Sequence, residues 1–112
     1  MGKRADALGD FEALVLAAVI RVGAQANGVA VYEEIEGRTG RDPSVPAVHV
    51  TLRRLEVKGL LTSEVGTSSP RGGRPRRYYR PTPAGVARLT DFRDTWRRVW
   101  AGLQLPDVEG SS

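Results

Sequence analysis

Five arginines crowd one short stretch of the chain: Arg71, Arg74, Arg76, Arg77 and Arg80. They are set among Gly72, Gly73 and Pro75, and no Asp or Glu occurs between Glu64 and Asp91. Counting Arg88, the span from Val65 to Thr90 has a local charge of +6. Guanidinium groups gathered in this way neutralise phosphates, so the chemistry on offer is the gripping of a polyanion rather than the making or breaking of bonds. A charged, fully solvated hairpin is the plainer explanation, and the elements around the cluster decide between the two.

The other reactive residue types exclude more than they suggest. Cysteine is absent, which removes disulfides, thiol redox chemistry, cysteine-ligated zinc and iron–sulfur clusters. The sole histidine, His49, cannot build a multi-histidine metal site. Glu33, Glu34 and Glu36 read as solvated helix positions, and Gly72-Gly73 precedes Arg74 rather than a phosphate-binding lysine motif. The sequence therefore predicts no enzyme, no catalytic or metal-binding residues and no cofactor. The apolar run Ala13 to Ile20 is too short to cross a bilayer, and Met1-Gly2 lacks the acylation pattern because Asp6 replaces the required Ser or Thr. The expected location is the cytoplasm.

At 112 residues with 40% apolar content, the chain is expected to form one globular domain with a small core, for which extra burial in a dimer is useful. Its net charge is modest at +4, from 17 basic and 13 acidic residues, but it is concentrated. Asp10 is placed to cap a first helix from Phe11 to about Val22, closed by Gly23. Phe11, Val15, Ala18 and Val22 share one face, while Leu14, Leu16 and Ile20 make other faces apolar too. Such a helix is buried on more than one side. Asn27 caps a second helix from Gly28 to about Thr39, with Val31, Ile35 and Tyr32 inward, and Gly40 with Asp42-Pro43 marks the following turn.

Ser44 caps a third helix running through Lys58, with Pro46 in its first turn and Gly59 at its close. Val48, Leu52 and Leu55 form its inward stripe, which leaves Ala47, His49, Val50, Arg53 and Arg54 outward. That outward set suits a recognition helix whose first turn enters the major groove while later basic groups meet phosphates. An ordinary amphipathic helix with a weak Arg53–Glu56 surface pair is the alternative. Leu60 to Val65 and Arg76 to Arg80 then read as two strands joined by a Gly- and Pro-rich loop, in which Arg71 or Arg74 can reach a minor groove.

Thr82 and Pro83 start a last helix that should run to roughly Gly102. Leu89, Phe92, Trp96, Val99 and Leu103 repeat at spacings of three and four, with Val86 and Trp100 beside them. This surplus stripe predicts a dimerisation helix, the alternative being that it folds back on its own domain. The fold class expected is mainly α with a small β-hairpin: a winged helix-turn-helix with an additional C-terminal dimerisation helix. The divisions are 8–82 for the DNA-binding domain, 83–104 for the dimerisation helix and 105–112 for a flexible tail.

From Leu8 to Leu103 the chain resembles the PadR family of bacterial transcription regulators. The resemblance rests on Gly28 to Ile35 with Glu36-Gly37-Arg38-Thr39-Gly40-Arg41, on Val48 to Leu61, and on Arg76-Arg77-Tyr78-Tyr79-Arg80-Pro81-Thr82-Pro83-Ala84-Gly85. It is densest in Thr51-Leu52-Arg53-Arg54-Leu55-Glu56-Val57-Lys58-Gly59-Leu60. It implies a homodimeric repressor acting at an inverted repeat in double-stranded DNA, with the first and last helices building the dimer. Against the family pattern, His49 replaces a usual tyrosine and Pro46 a frequent glycine, which bears on base preference.

The residues expected to contact DNA are Ser44, Ala47, His49, Val50, Arg53, Arg54, Arg71, Arg74, Arg76 and Arg77. Those expected at the dimer interface are Leu8, Phe11, Val15, Leu89, Phe92, Trp96, Val99, Trp100 and Leu103. The resemblance further implies a small-molecule effector, for which Phe92, Trp96 and Trp100 are candidate contacts. A winged-helix module that binds an acidic protein, and a nonspecific DNA- or RNA-binding protein, are the competing classes.

Overall fold

The computed structural model describes residues 7–66 and 75–108. Arg71 and Arg74, with most of the loop joining the two strands, lie outside the described residues, as does the end of the tail. The element order is α1 (Asp10–Val22), a single 3-10 turn (Gly23–Gln25), α2 (Gly28–Thr39), α3 (Val45–Val57), β1 (Leu61–Val65), β2 (Arg77–Pro81) and α4 (Pro83–Trp100). This is the mainly helical architecture with one hairpin expected from the sequence.

Capping accounts for most element boundaries. Asn27 Oδ1 accepts the Ala30 N–H at 2.9 Å at the start of α2, and Thr82 Oγ1 accepts the Gly85 N–H at 3.0 Å at the start of α4. The first helix departs from expectation. Gly9, not Asp10, is its cap residue, because Glu12 reaches back and accepts the Gly9 N–H at 2.9 Å. Gly40, directly after α2, and Gly59, following the Lys58 cap of α3, adopt positive φ of 73° and 80°, the left-handed turn that ends a helix. Each strand begins one residue later than expected, and α4 stops at Trp100 rather than near Gly102.

The core gathers Val15, Leu16, Ala18 and Val19 of α1 with Val31 and Ile35 of α2 and Val48, Leu52 and Leu55 of α3. Leu60, Leu61 and Tyr79 close it from the hairpin side. Val15 is fully buried there, so it offers no surface to a second subunit, contrary to its placement at a dimer interface. The strands pair antiparallel with Leu61 opposite Pro81, Ser63 opposite Tyr79 and Val65 opposite Arg77. Tyr79 turns its ring into the core while its N–H bonds the Ala26 carbonyl at 2.9 Å, which ties the hairpin to the segment before α2.

One junction sets the direction of α4. The Leu60 carbonyl accepts the Thr82 N–H at 3.1 Å, and the Gly59 carbonyl accepts the Thr82 hydroxyl at 2.7 Å. Gly85, one turn into α4, presses against the same Leu60 carbonyl so closely that a Cβ there would stand 2.1 Å from the oxygen. Both contacting groups are backbone, so neither can swing aside.

Gly85→Ala is therefore expected to destabilise the fold by about 1–3 kcal/mol through overpacking. Gly37→Ala is the matched control: its Cβ would meet nothing within 4 Å, and replacing a helix-interior glycine adds about 0.5–1 kcal/mol. Urea unfolding of the two variants checks the opposite signs.

Candidate nucleic-acid interface

The start of α3 is set by a small polar clamp. Asp42 Oδ1 accepts the Tyr32 hydroxyl at 2.9 Å and the Ser44 N–H at 2.9 Å. The Ser44 N–H and then the Tyr32 hydroxyl hold the Asp42 carboxyl below its ordinary value, while the bond to Asp42 raises the Tyr32 phenol. Ser44 itself has φ 73° and ψ 121°, backbone that a non-glycine residue rarely adopts. Its hydroxyl accepts the Ala47 N–H at 3.3 Å. The strain falls at the leading end of the helix that carries the expected DNA contacts, where such conformations concentrate.

Along α3 the two faces separate as the periodicity predicted. Val48, Leu52 and Leu55 are fully buried, joined by Thr51, which the apolar count had passed over. His49, Val50, Arg53 and Arg54 are exposed and Ala47 is half-buried. Val50 is 54% exposed, an uncovered aliphatic group in the middle of the basic face. His49 does not simply point outward. Its ring lies against Gly28 at the start of α2, where an added Cβ would be 2.2 Å from Cε1.

Past the end of α3, Lys58 Nζ approaches Glu12 Oε2 at 2.8 Å and so joins this helix to α1. Burial pushes the Glu12 carboxyl up, but the Gly9 N–H and the Lys58 ammonium outweigh it and hold the group below its ordinary value. On the outer side, Ser63 donates to Glu56 at 2.8 Å and accepts from Arg77 Nη1 at 3.0 Å. The Tyr79 phenol is raised mainly by burial, with Glu56 adding and Arg77 and Arg53 opposing. The Glu56–Ser63–Arg77 series thus joins α3 to the hairpin through side-chain hydrogen bonds.

Arg76 is exposed beside Arg77. Arg80 is not free of acids as its neighbourhood in sequence suggested: across the hairpin its guanidinium lies 3.6 Å from Glu64, in an exposed pair. Among the described residues no group of His, Cys, Asp or Glu is arranged to hold a metal ion, and no helix is long and apolar enough to cross a membrane.

The second surface lies between α1 and α4. Leu8, Phe11, Leu89 and Phe92 are half-buried, whereas Trp96, Val99, Trp100 and Leu103 are each 43–51% exposed. Phe92 and Trp96 pack with ring centroids 6.3 Å apart, tilted by 45°. Leu14, Ala17, Leu89, Phe92 and Trp96 line an open apolar groove of about 430 Å³. A neighbouring cleft of about 470 Å³ adds Arg88, Asp91 and Arg98 to Phe92 and Trp96.

A recognition-type helix beside a two-stranded basic wing defines a winged-helix regulator. Residues 15–91 match the transcriptional regulator PadR-like family, and the chain belongs to that family. It is 42% identical over 69 residues to the transcriptional regulator Rv3488 of Mycobacterium tuberculosis, a match covering 62% of this chain and 61% of that protein's length. A PadR family transcriptional regulator from Eggerthella lenta superposes with a TM-score of 0.66 at 29% identity, over 80% of this chain and 76% of that one. F93 from STIV, a winged-helix DNA-binding protein, shares the fold with a TM-score of 0.65 at 15% identity, over 82% of this chain and 92% of that one.

The Glu12–Lys58 pair makes a prediction about acid. A carboxyl lowered by folding stabilises the protein above its unfolded value, near 4.5, and that contribution is lost as pH falls through the lower folded value. Glu12→Gln should be less stable than wild type near neutrality, with the gap closing below pH about 4.5. Urea midpoints of both proteins across that range measure it, and Asp42, which shifts in the same direction, is common to both.

Proposed function

We propose that this regulator is a homodimeric repressor that occupies an inverted-repeat operator near its own or neighbouring genes. The observation that carries the reading is the Glu56–Ser63–Arg77 hydrogen-bond series, which joins the outer side of α3 to the wing, with Val50, Arg53 and Arg54 exposed on the same helix. In this reading the first turn of α3 enters the major groove. Val50 and Ala47 meet base edges or thymine methyls, while Arg53, Arg54, Arg76 and Arg77 neutralise phosphates. Arg71 or Arg74, which lie in sequence between the two strands and outside the described residues, supplies the minor-groove contact in this reading. Ser44 contributes by fixing where the helix begins.

The exposed stripe of Trp96, Val99, Trp100 and Leu103 is the surface a second copy would cover, together with the half-buried Leu8, Phe11, Leu89 and Phe92. A contiguous apolar patch of this kind is unusual on a protein that works alone. The aromatic groups of the α1–α4 groove, Phe92 and Trp96 with Trp100 nearby, are also where a small effector would bind, its occupancy changing the dimer and hence the operator affinity.

Selection from a randomised duplex library is expected to recover an inverted repeat with half-sites separated by about 34–36 Å, one helical turn. Arg54→Ala should weaken binding to matched and scrambled duplexes alike and lower the salt dependence by about 0.9 in log–log slope, whereas Val50→Ala should redistribute preference among sequences. No motif, or equal loss on every duplex for Val50→Ala, contradicts the assignment. For the dimer, sedimentation should show a two-chain species in the wild type and dissociation in Trp96→Ala/Val99→Ser; a wild-type monomer that still shifts the inverted repeat contradicts it.

A further inference from the structure

Gly28 occupies the first helical position of α2 without needing a glycine backbone, since its φ is not positive. Alanine is the better helix former, so what the missing side chain leaves room for is informative. That space is filled by the His49 ring. Cε1, Nδ1 and Nε2 all lie within 2.8 Å of where a Cβ would be. Gly37, further along the same helix, faces open space by contrast.

We propose that Gly28 is a positioning residue that holds the His49 imidazole in the seam between α2 and α3, where it contacts a backbone phosphate rather than a base edge. The inference rests on the reading of α3 as the helix in the major groove. In a helix-turn-helix the helix before the recognition helix crosses the phosphate backbone, so a ring drawn back toward α2 is drawn toward phosphates and away from the groove floor. His49 remains exposed, and the hydrogen bond it can give comes from a ring nitrogen, Nδ1 or Nε2. A side chain at Gly28 would evict the ring, and because the colliding atoms are the far end of a rotatable side chain, the fold can absorb the change by turning His49 outward. The evicted imidazole would then point at bases.

The test compares wild type, His49→Ala, Gly28→Ala and the double variant by library selection and by affinity for the selected duplex. His49→Ala should lose about 2- to 10-fold on all duplexes, the range of a single hydrogen bond, with the preferred sequence unchanged. Gly28→Ala should change the preference at one base pair of each half-site, and the double variant should return to the wild-type motif. In the free wild-type protein, a nuclear Overhauser contact between the Gly28 α-protons and the His49 ring reports the seat whatever the variants do. A changed motif in His49→Ala, an unchanged one in Gly28→Ala, a change that persists in the double variant, or no Overhauser contact each overturns the role given to Gly28. A wild-type protein that enriches no motif overturns the underlying reading of α3 as well.

Discussion

The Leu60 peptide group is where the parts of this molecule meet. Its side chain is buried in the core, its carbonyl accepts the Thr82 N–H, and the same oxygen is the floor on which Gly85 rests. The end of α3, the start of β1, the end of β2 and the start of α4 are thus fixed within a few residues of one another. Side chains can rotate around a misfit, but two backbones in contact cannot. The closeness at Gly85 therefore fixes how α4 leaves the domain, much as the hydrogen bonds to Thr82 fix where it starts.

Holding α3 involves two kinds of force with different purposes. Val48, Leu52 and Leu55 are fully buried, and each such side chain contributes about 1.5–3 kcal/mol through removal from water. Exposed ion pairs such as Arg80–Glu64 are worth about 0–1 kcal/mol. Apolar burial therefore keeps the helix in place. The polar contacts determine how it sits: Tyr32–Asp42–Ser44 fixes the first residue, Glu12–Lys58 ties the far end to α1, and the Glu56–Ser63–Arg77 series connects its outer side to the wing. A helix pinned at both ends presents its exposed residues in one orientation.

The sequence foretold the elements better than the contacts between them. Apolar spacing identified Val31, Ile35, Val48, Leu52 and Leu55 as inward because periodicity is a local property that one segment carries in full. Caps at Asn27, Ser44 and Thr82 were legible for the same reason. Gly9 was missed as a cap because its partner is the Glu12 side chain reaching backward, and Asp10 looked like the stronger donor-satisfying residue. Val15 was misassigned because an all-round apolar helix does not say which face the core takes. The Leu60–Gly85 and Gly28–His49 contacts join residues separated by long stretches of chain, and a glycine in a sequence gives no sign of what fills the space it leaves. Arg80 looked uncompensated because Glu64 becomes its neighbour only when the hairpin pairs.

Basic groups lie on α3, on the wing and also on α4, where Arg93, Arg97 and Arg98 are exposed, and α4 is buried at Gly85, with Leu89 packed against the core. Beyond Phe92 the helix carries Trp96, Val99 and Trp100 into solvent, with the exposed Leu103 just past its end. A small core has little stability to spare for an exposed aromatic stripe unless covering it contributes elsewhere. In the proposed dimer the Leu60 junction would transmit that cover directly: with α4 fixed relative to α3, the way two α4 helices pack sets the distance between two α3 helices. Effector binding in the α1–α4 groove would then need only a small change in helix packing to move the recognition helices out of register with successive major grooves.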